Sequence, residues 1–377
     1  MSTTSRNRVI YQSQALFAAP TGTTTLNNAQ HSLRRVQSCN YNFSVTRQDI
    51  NQYGELAAID RLILQEPTVA VDMSYYFEPT GFNEDHLGFV TNAVTGTSST
   101  SDHMLNSIIT NETTGQKNIF VLVSDVGIDA NDSTTMSSAT VDGIIGIGNA
   151  FLTSWSLEAA VGAIPTVSCS LEGQNIVFTG GDTSYQIGNP SVLDGADMSE
   201  TSLVTLPDGG DLFDSATEIA AVRPGDITLT LGDPASGGGT DSVPMFGLKE
   251  GDLKIQSATV SVTIGREPIR KLGKAFAFAR EITFPVNCTM SVNAIVGATA
   301  ANKLYSLMTT NGDNTKYYCE LKLTGYIGSS PRTAYVMLKG AKLDSQNFTS
   351  SIGPNQTVTL ELSAQIGKNS GLHFKAA

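Results

Sequence analysis

The chain has 377 residues, 40% of them apolar and 15% charged, and carries a net charge of −12. That is length for two ordinary domains, each able to bury a core. No run of 18 apolar residues occurs, which excludes a membrane-spanning helix, and low charge with abundant Gly, Ser, Thr and Asn points to an all-β chain rich in turns.

The first residues, MSTTSRNRVIYQSQALFAAPTG, are polar with one short apolar patch and make a poor signal peptide. Residues 1–35 read as an N-terminal arm. Next comes QSCNYNFSVTRQDINQYGELAAIDR, and a second version, QSATVSVTIGREPIRKLGKAFAFAR, stands far downstream. Gln37 and Gln256, Arg47 and Arg266, Ile50 and Ile269, Gly54 and Gly273, and Arg61 and Arg280 all share an offset of 219. TVAVDMSYYF from Thr68 and CTMSVNAIV from Cys288 then alternate as half-buried strands do.

The stretch 78–96, EPTGFNEDHLGFVTNAVTG, reads as an added loop of the first copy. SDHMLNSIITN and AANKLYSLMTTN follow at an offset of 200. They place Met104 and Ile108, and Leu304 and Met308, on one face of short helices near 101–110 and 299–310. KNIFVLVS parallels KYYCELKL, and WSLEAAVGAIPTVSCSLEG parallels NFTSSIGPNQTVTLELS at offsets of 192 to 191. The offset only falls, so segment order is kept. The period is far too long for a solenoid. These features argue for a duplication, with copies at 36–180 and 253–377.

The bridge between them, 181–252, holds 13 acidic residues against Arg223 and Lys249, a net of −11. Its clusters LPDGGD and LGDPASGGGTDS mark turns, and DITLTL marks a strand. Residues 1–180 carry a net −9 and residues 253–377 a net +8. Opposite charge on two similar copies reads either as drift on solvated faces or as a sign that they touch each other, or each other's neighbours, through complementary faces.

Chemistry-bearing patterns are few. Cys39, Cys169, Cys288 and Cys319 are widely separated and form no CxxC pair, so they read as buried free thiols rather than zinc ligands. His31, His86, His103 and His373 belong to no catalytic motif and read as solvated. GIIGIGNAF has Phe151 where a dinucleotide fingerprint needs its third glycine, and no βαβ pattern surrounds it. No catalytic residue, cofactor site or metal site is expected, and the chain reads as a non-enzyme. The basic cluster Arg266, Arg270, Lys271, Lys274 and Arg280 retains only Arg47 and Arg61 in the first copy. That pattern favours protein contacts over a nucleic-acid groove.

The segment QSCNYNFSVTRQDINQYGELAAIDRLILQEPTVAVDMSYYF, its closing WSLEAAVGAIPTVSCSLEG and the weaker copy at 254–366 resemble the tail-tube proteins of long-tailed bacteriophages. The resemblance implies a mainly β chain of two homologous β-sandwich or β-roll domains, each with one short flanking helix. In that family, sheets join edge to edge across subunits into a ring lined by one β-barrel. Rings stack into a tube that conducts the genome. A duplicated variety exists in which three two-domain chains close the ring. For this chain the resemblance implies a homotrimeric, pseudo-hexameric ring.

Its partners would then be itself and other tail proteins. Double-stranded DNA would be passing cargo without specific binding, and nothing would insert into a membrane. The expected location is the virion tail, after assembly in the host cytoplasm. Arg47, Asp49, Gly54, Arg61, Arg266, Arg270, Lys271, Gly273 and Arg280 become ring-stacking or interface residues. The arm 1–30 and the loop 78–96 become contacts between rings. The alternative from another class is a β-rich virion decoration or receptor-binding and adhesion module, which would stay monomeric or form a compact trimer.

Overall fold

A computed structural model describes residues 13–63, 66–89, 102–103, 115–125, 127–130, 141–180, 185–192, 202–207, 222–233, 243–244, 253–274, 276–296, 316–327, 329–349, 355–367 and 370–376. The chain is mainly β. Its first elements are β1 (Gln14–Pro20), α1 (Asn28–His31), β2 (Val36–Ser44), β3 (Arg47–Ile50), β4 (Asp60–Ile63) and β5 (Thr68–Tyr76). Then come α2 (Phe82–His86), β6 (Asp102–His103), β7 (Lys117–Ser124), β8 (Val141–Ala160), β9 (Thr166–Gly173) and β10 (Asn175–Gly180).

Strands β2, β5, β9 and the second half of β8 pair in that order. Strands β1, β7, the first half of β8 and β10 pair in another. Twenty-residue β8 serves both sets because its ladder is broken twice. Asn149, at φ 53, sits at a register shift against β7, and Thr153 bulges against β9. Bulges of this kind bend a strand and increase its twist.

A short hairpin of β11 (Gln186–Gly188) and β12 (Leu203–Thr205) precedes the remaining strands. These are β13 (Ile227–Asp233), β14 (Val243–Pro244), β15 (Leu253–Thr263), β16 (Arg266–Ile269), β17 (Ala279–Ile282) and β18 (Asn287–Val296). The last are β19 (Tyr317–Ile327), β20 (Ser330–Thr349), β21 (Thr357–Gln365) and β22 (Gly371–Ala376).

Here β15, β18, β21 and the end of β20 pair in order, and so do β13, β19, the start of β20 and β22. The pairing order of the first ten strands thus recurs, with irregularities at matching places. Gln37 and Gln256 are both the extra residue of a bulge, and each donates its side-chain amide to the carbonyl two residues back, at 3.1 and 3.2 Å. Gly340, at φ 69, lies in β20 where Asn149 lies in β8, and Asp344 bulges where Thr153 does.

The two sets meet strand to strand, with Ser257–Thr263 of β15 on the outer edge of β8. Among the described residues the result is one 16-stranded antiparallel sheet, open at β2 and not closed into a barrel. Alternation gives it a continuous inner face. Val69, Val71 and Met73 of β5, Trp155 and Leu157 of β8, Val260 and Val262 of β15, and Val358 and Leu360 of β21 belong to one core.

Several expectations change. The stretch expected as an N-terminal arm supplies β1, paired along its length with β7. The strand expected at DITLTL in the acidic bridge is β13, and it pairs with β19. Tyr185, Ile187, Val204 and Leu206 of that bridge also pack with Phe17, Phe120 and Leu122 in a second core. Strand β1 is held by the short apolar run of QALFAAP, of which Ala15, Phe17, Ala18 and Ala19 are buried.

The loop expected to project at 78–96 instead turns inward over its described part, 78–89. Phe82, Asn83, Glu84, His86, Leu87 and Phe89 are buried. Asn83 clamps Arg34, accepting from its N–H at 2.9 Å and donating to its carbonyl at 2.7 Å. The Arg34 guanidinium lies 3.6 Å over the Phe82 ring. His86 and His373 are buried rather than solvated. The helices expected near 101–110 and 299–310 lie outside the described residues, except that Asp102 and His103 form a strand beside β22. Cys169, Cys288 and Cys319 are buried free thiols, and Cys39 is half-buried.

Glu84 makes this interior sensitive to pH. It accepts a 2.8 Å hydrogen bond from the Tyr75 hydroxyl, and burial pushes its pKa from 4.5 up to about 7. A folded-state pKa above the unfolded one contributes stability below pH 4.5 that is lost as pH rises through 7. His86 works oppositely. Burial lowers it to about 4, although its Nδ1–H donates to the Phe82 carbonyl at 2.6 Å, so its contribution fades as pH falls from 6.5. Glu84→Gln keeps an acceptor and removes the charge. Urea unfolding should show a gain of about 2–3 kcal/mol at pH 8 and little change at pH 4.5. An equal gain at both values would contradict this account.

Gly148 shows how tightly the bridge is held. A Cβ there would stand 1.9 Å from the Pro190 carbonyl oxygen. Residues 189–192 cannot simply retreat. The Val192 N–H donates to Asn149 at 2.6 Å, and Asn175 donates to the Pro190 carbonyl at 2.9 Å. Gly148→Ala should destabilise by about 3 kcal/mol or more in urea, whereas Gly180→Ala, with open space around its Cβ, should stay within about 0.5.

Candidate assembly surface

The joint between the two sets of strands is more than a ladder. Beyond β15 the chain continues into the hairpin β16–β17, and this arm folds back onto the first set. The Arg266 guanidinium lies 4.0 Å over the Phe151 ring and donates to the Arg280 carbonyl at 3.0 Å. Arg280 donates to the Glu172 carbonyl at 3.0 Å and lies 3.5 Å from its carboxylate. Arg270 meets Glu66 at 3.2 Å, and the other Glu66 oxygen accepts the Ala277 N–H. Burial lowers the Arg280 pKa, and the carboxylates of Glu172 and Glu66 partly offset that shift. Opposite charges on the two sets of strands thus meet inside one chain.

The counterpart surfaces stand open. Among the described residues, β2 has β5 on one side and no strand on the other, and residues 342–349 of β20 have only β21. In β15, Ala258, Val260 and Val262 are buried against β8. The matching residues of β2, 219 positions earlier, are half-buried Cys39, Tyr41 at 39% exposure and Phe43 at 47%. On β20, Phe348 is 43% exposed.

The first arm, β3–β4, likewise has no hydrogen bond or ion pair to the rest of the described chain. Asp49 and Arg61 pair across it at 2.6 Å, and that bond lowers the Asp49 pKa. Arg47 lies exposed on the same hairpin. Tyr53 and Leu56 at its tip are fully exposed, as is Leu272 at the tip of the second arm. Gly54 and Gly273 hold φ of 91 and 83 in these tips, a conformation that β-carbons disfavour.

Of the residues expected at an interface, Arg266, Arg270 and Arg280 are therefore taken up within the chain. Lys271 lies 5.3 Å over Phe278 of its own arm. Arg47, Asp49, Gly54 and Arg61 are exposed on the first arm, with Asp49 and Arg61 paired only to each other there. Glu66, Glu172 and Phe151 escaped sequence reading. The one signal was that Glu66 has no acidic counterpart, since Pro285 stands 219 positions on.

The outer face of the large sheet is polar along its width. One row crosses eight strands through successive ladder partners: Ser38, Ser74, Ser168, Ser156, Ser261, Thr289, Ser363 and Lys342. Ser38 and Ser74 share a 2.6 Å hydrogen bond, and Ser261 and Thr289 one of 2.7 Å. The flanking rows bring carboxylates, Asp72 beside Ser170 and Glu361 beside Ser291, each accepting from its serine at 2.6 and 2.7 Å. Glu158 stands opposite Thr259 on the same face. Among the described residues no helix is long and apolar enough to cross a membrane.

No protein-family profile matches the chain, and no curated protein matches it in sequence. Among solved structures it is similar to a chain in the tail of an empty gene transfer agent particle refined with C6 symmetry. That match has 11% identity and a TM-score of 0.23, covering 38% of this chain and 94% of that one. A chain in the virion of a native gene transfer agent particle matches at 12% identity and a TM-score of 0.20, covering 34% of this chain and 98% of that one. Likenesses this loose carry no weight for fold or function.

Proposed function

We propose that the chain is a structural virion protein whose copies join edge to edge into rings, and that the rings stack into a phage tail tube that conducts the genome. One observation carries this reading. The β8–β15 joint is a finished edge-to-edge contact, and among the described residues the two matching edges, β2 and the end of β20, have no strand beside them. An open strand edge flanked by exposed aromatics is an aggregation hazard unless a partner covers it. A head-to-tail joint of this kind generates a ring if its rotation closes.

In this reading the recurring strand pattern is a duplication. Two copies per chain fill two of six ring positions, and three chains close a pseudo-sixfold barrel. The hydroxyl and carboxylate face lines the channel. A lumen poor in Lys and Arg releases few counterions to passing DNA and does not hold it. The protein resides in the virion tail after assembly in the host cytoplasm, acts with other tail proteins, and has no enzymatic role.

Negative-stain electron microscopy of the purified chain, with its sedimentation profile, tests the proposal. Hollow rings or tubes support it. A chain that stays monomeric at all concentrations, or forms a compact solid trimer, would favour a decoration or adhesion module instead.

A further inference from the structure

The internal joint predicts the joint between chains residue by residue, and the prediction rests on the edge-to-edge reading above. Strand β2 relates to β15 by 219 positions, since Cys39 opposite Met73 matches Ala258 opposite Val292. Strand β8 relates to β20 by 191, since Ser154 opposite Ser170 matches Ser345 opposite Glu361. Applied to the β8–β15 ladder, in which Val260 faces Leu157 and Ser261 faces Ser156, these shifts place Tyr41 opposite Phe348 and Asn42 opposite Asn347. Both exposed aromatics then fall on the side of the sheet that is core in the internal joint.

The seat for the arm changes character between the two joints. In the first set, Phe151, Glu172 and Glu66 receive Arg266, Arg280 and Arg270. The same shifts lead in the second set to Lys342, Ser363 and Pro285, which include no acid and one base. The arm changes in the opposite sense. Asp49, Glu55 and Asp60 stand where the second arm has Pro268, Lys274 and Ala279, while Arg47 and Arg61 stand where it has Arg266 and Arg280. The same shifts pair Arg47 with Lys342 and Arg61 with Ser363, where the internal joint pairs Arg266 with Phe151 and Arg280 with Glu172. The contacts that seat the second arm are therefore not repeated between chains, and the strand edges carry that joint.

We infer that β2 of one copy adds to the end of β20 of a second copy with Asn42 opposite Asn347. Joints within a chain and joints between chains then alternate, and each chain adds head to tail.

Disulfide trapping in the full-length chain tests this. In a Cys39→Ser background, Asn42→Cys and Asn347→Cys are combined. Facing residues of an antiparallel ladder have Cα atoms about 4.5–5.5 Å apart, inside disulfide range, while a pair two residues out of register lies near or beyond the limit of about 7 Å. Oxidised assemblies should give chain-to-chain links at least about tenfold faster than the control pair Asn42→Cys with Thr349→Cys. Rings visible by microscopy with no link, or with faster linking by the control pair, would overturn the register and leave the ring reading standing. A chain that forms no ring and no link would overturn both readings.

Discussion

Replacing both Tyr41 and Phe43 with lysine will abolish assembly and leave the single chain folded. In the isolated chain these side chains stand 39% and 47% exposed on an open edge, so nothing in the fold depends on their burial. Exposed substitutions of this kind change stability by about 0.5 kcal/mol or less. In the joint the same positions match Val260 and Val262, which are buried. Two lysines there would be desolvated without partners. A penalty of about 4 kcal/mol per joint is modest for burying unpaired charge and already weakens association about a thousandfold. Sedimentation should show the variant as a single chain at concentrations where the parent forms rings, with urea midpoints of the unassembled chains unchanged. Lysines tolerated in intact rings would mean that β2 is not a joint.

The second large effect is expected inside the chain. Glu66 is buried, accepts the Ala277 N–H and pairs with Arg270, and it fastens the second arm to the first set of strands. Glu66→Ala removes that acceptor and leaves a buried N–H and a nearby guanidinium without it. The loss should be about 3 kcal/mol, because uncompensated buried groups keep their full desolvation penalty. The arm should also loosen. Limited trypsin digestion should then cut at Arg270, Lys271 or Lys274, sites the parent protects for longer. Glu66→Gln keeps an acceptor for the N–H and should lose only about 1 kcal/mol. Equal losses in both variants would assign the effect to charge alone. No loss in either would mean that the arm is not held at Glu66.

Much of the fold was legible because it depends on local oddities that survive divergence. Gln37 and Gln256 mark the same bulge, and Gly54 and Gly273 mark the same left-handed turn. These positions carry the 219-residue offset in sequence and the matched registers in structure. Strand β13 was legible as the alternating DITLTL, but its pairing with β19 was not, and strand β1 was not legible at all. QALFAAP is a short apolar run without alternation, which an arm can show by chance. The loop 78–89 misled for another reason. FNEDH is polar by composition, yet Asn83 and Glu84 turn inward because Arg34 and Tyr75 offer them partners.

The candidate surface was half legible. The basic cluster at 266–280 pointed to protein contact. Its partners Glu66, Glu172 and Phe151 could not be found, because they lie in the other set of strands and belong to no motif. The meaning of the open first arm emerged only beside the closed second one.

End-on symmetry of assembled tubes tests the central claim most directly. Averaged cryo-electron micrographs should show threefold rings with pseudo-sixfold outlines, three chains per ring, and alternating joints in which every second seam lies within a chain. Strict sixfold symmetry with six chains per ring would contradict the account. It would mean that only one set of strands lines the channel and that the other is displaced to the outside.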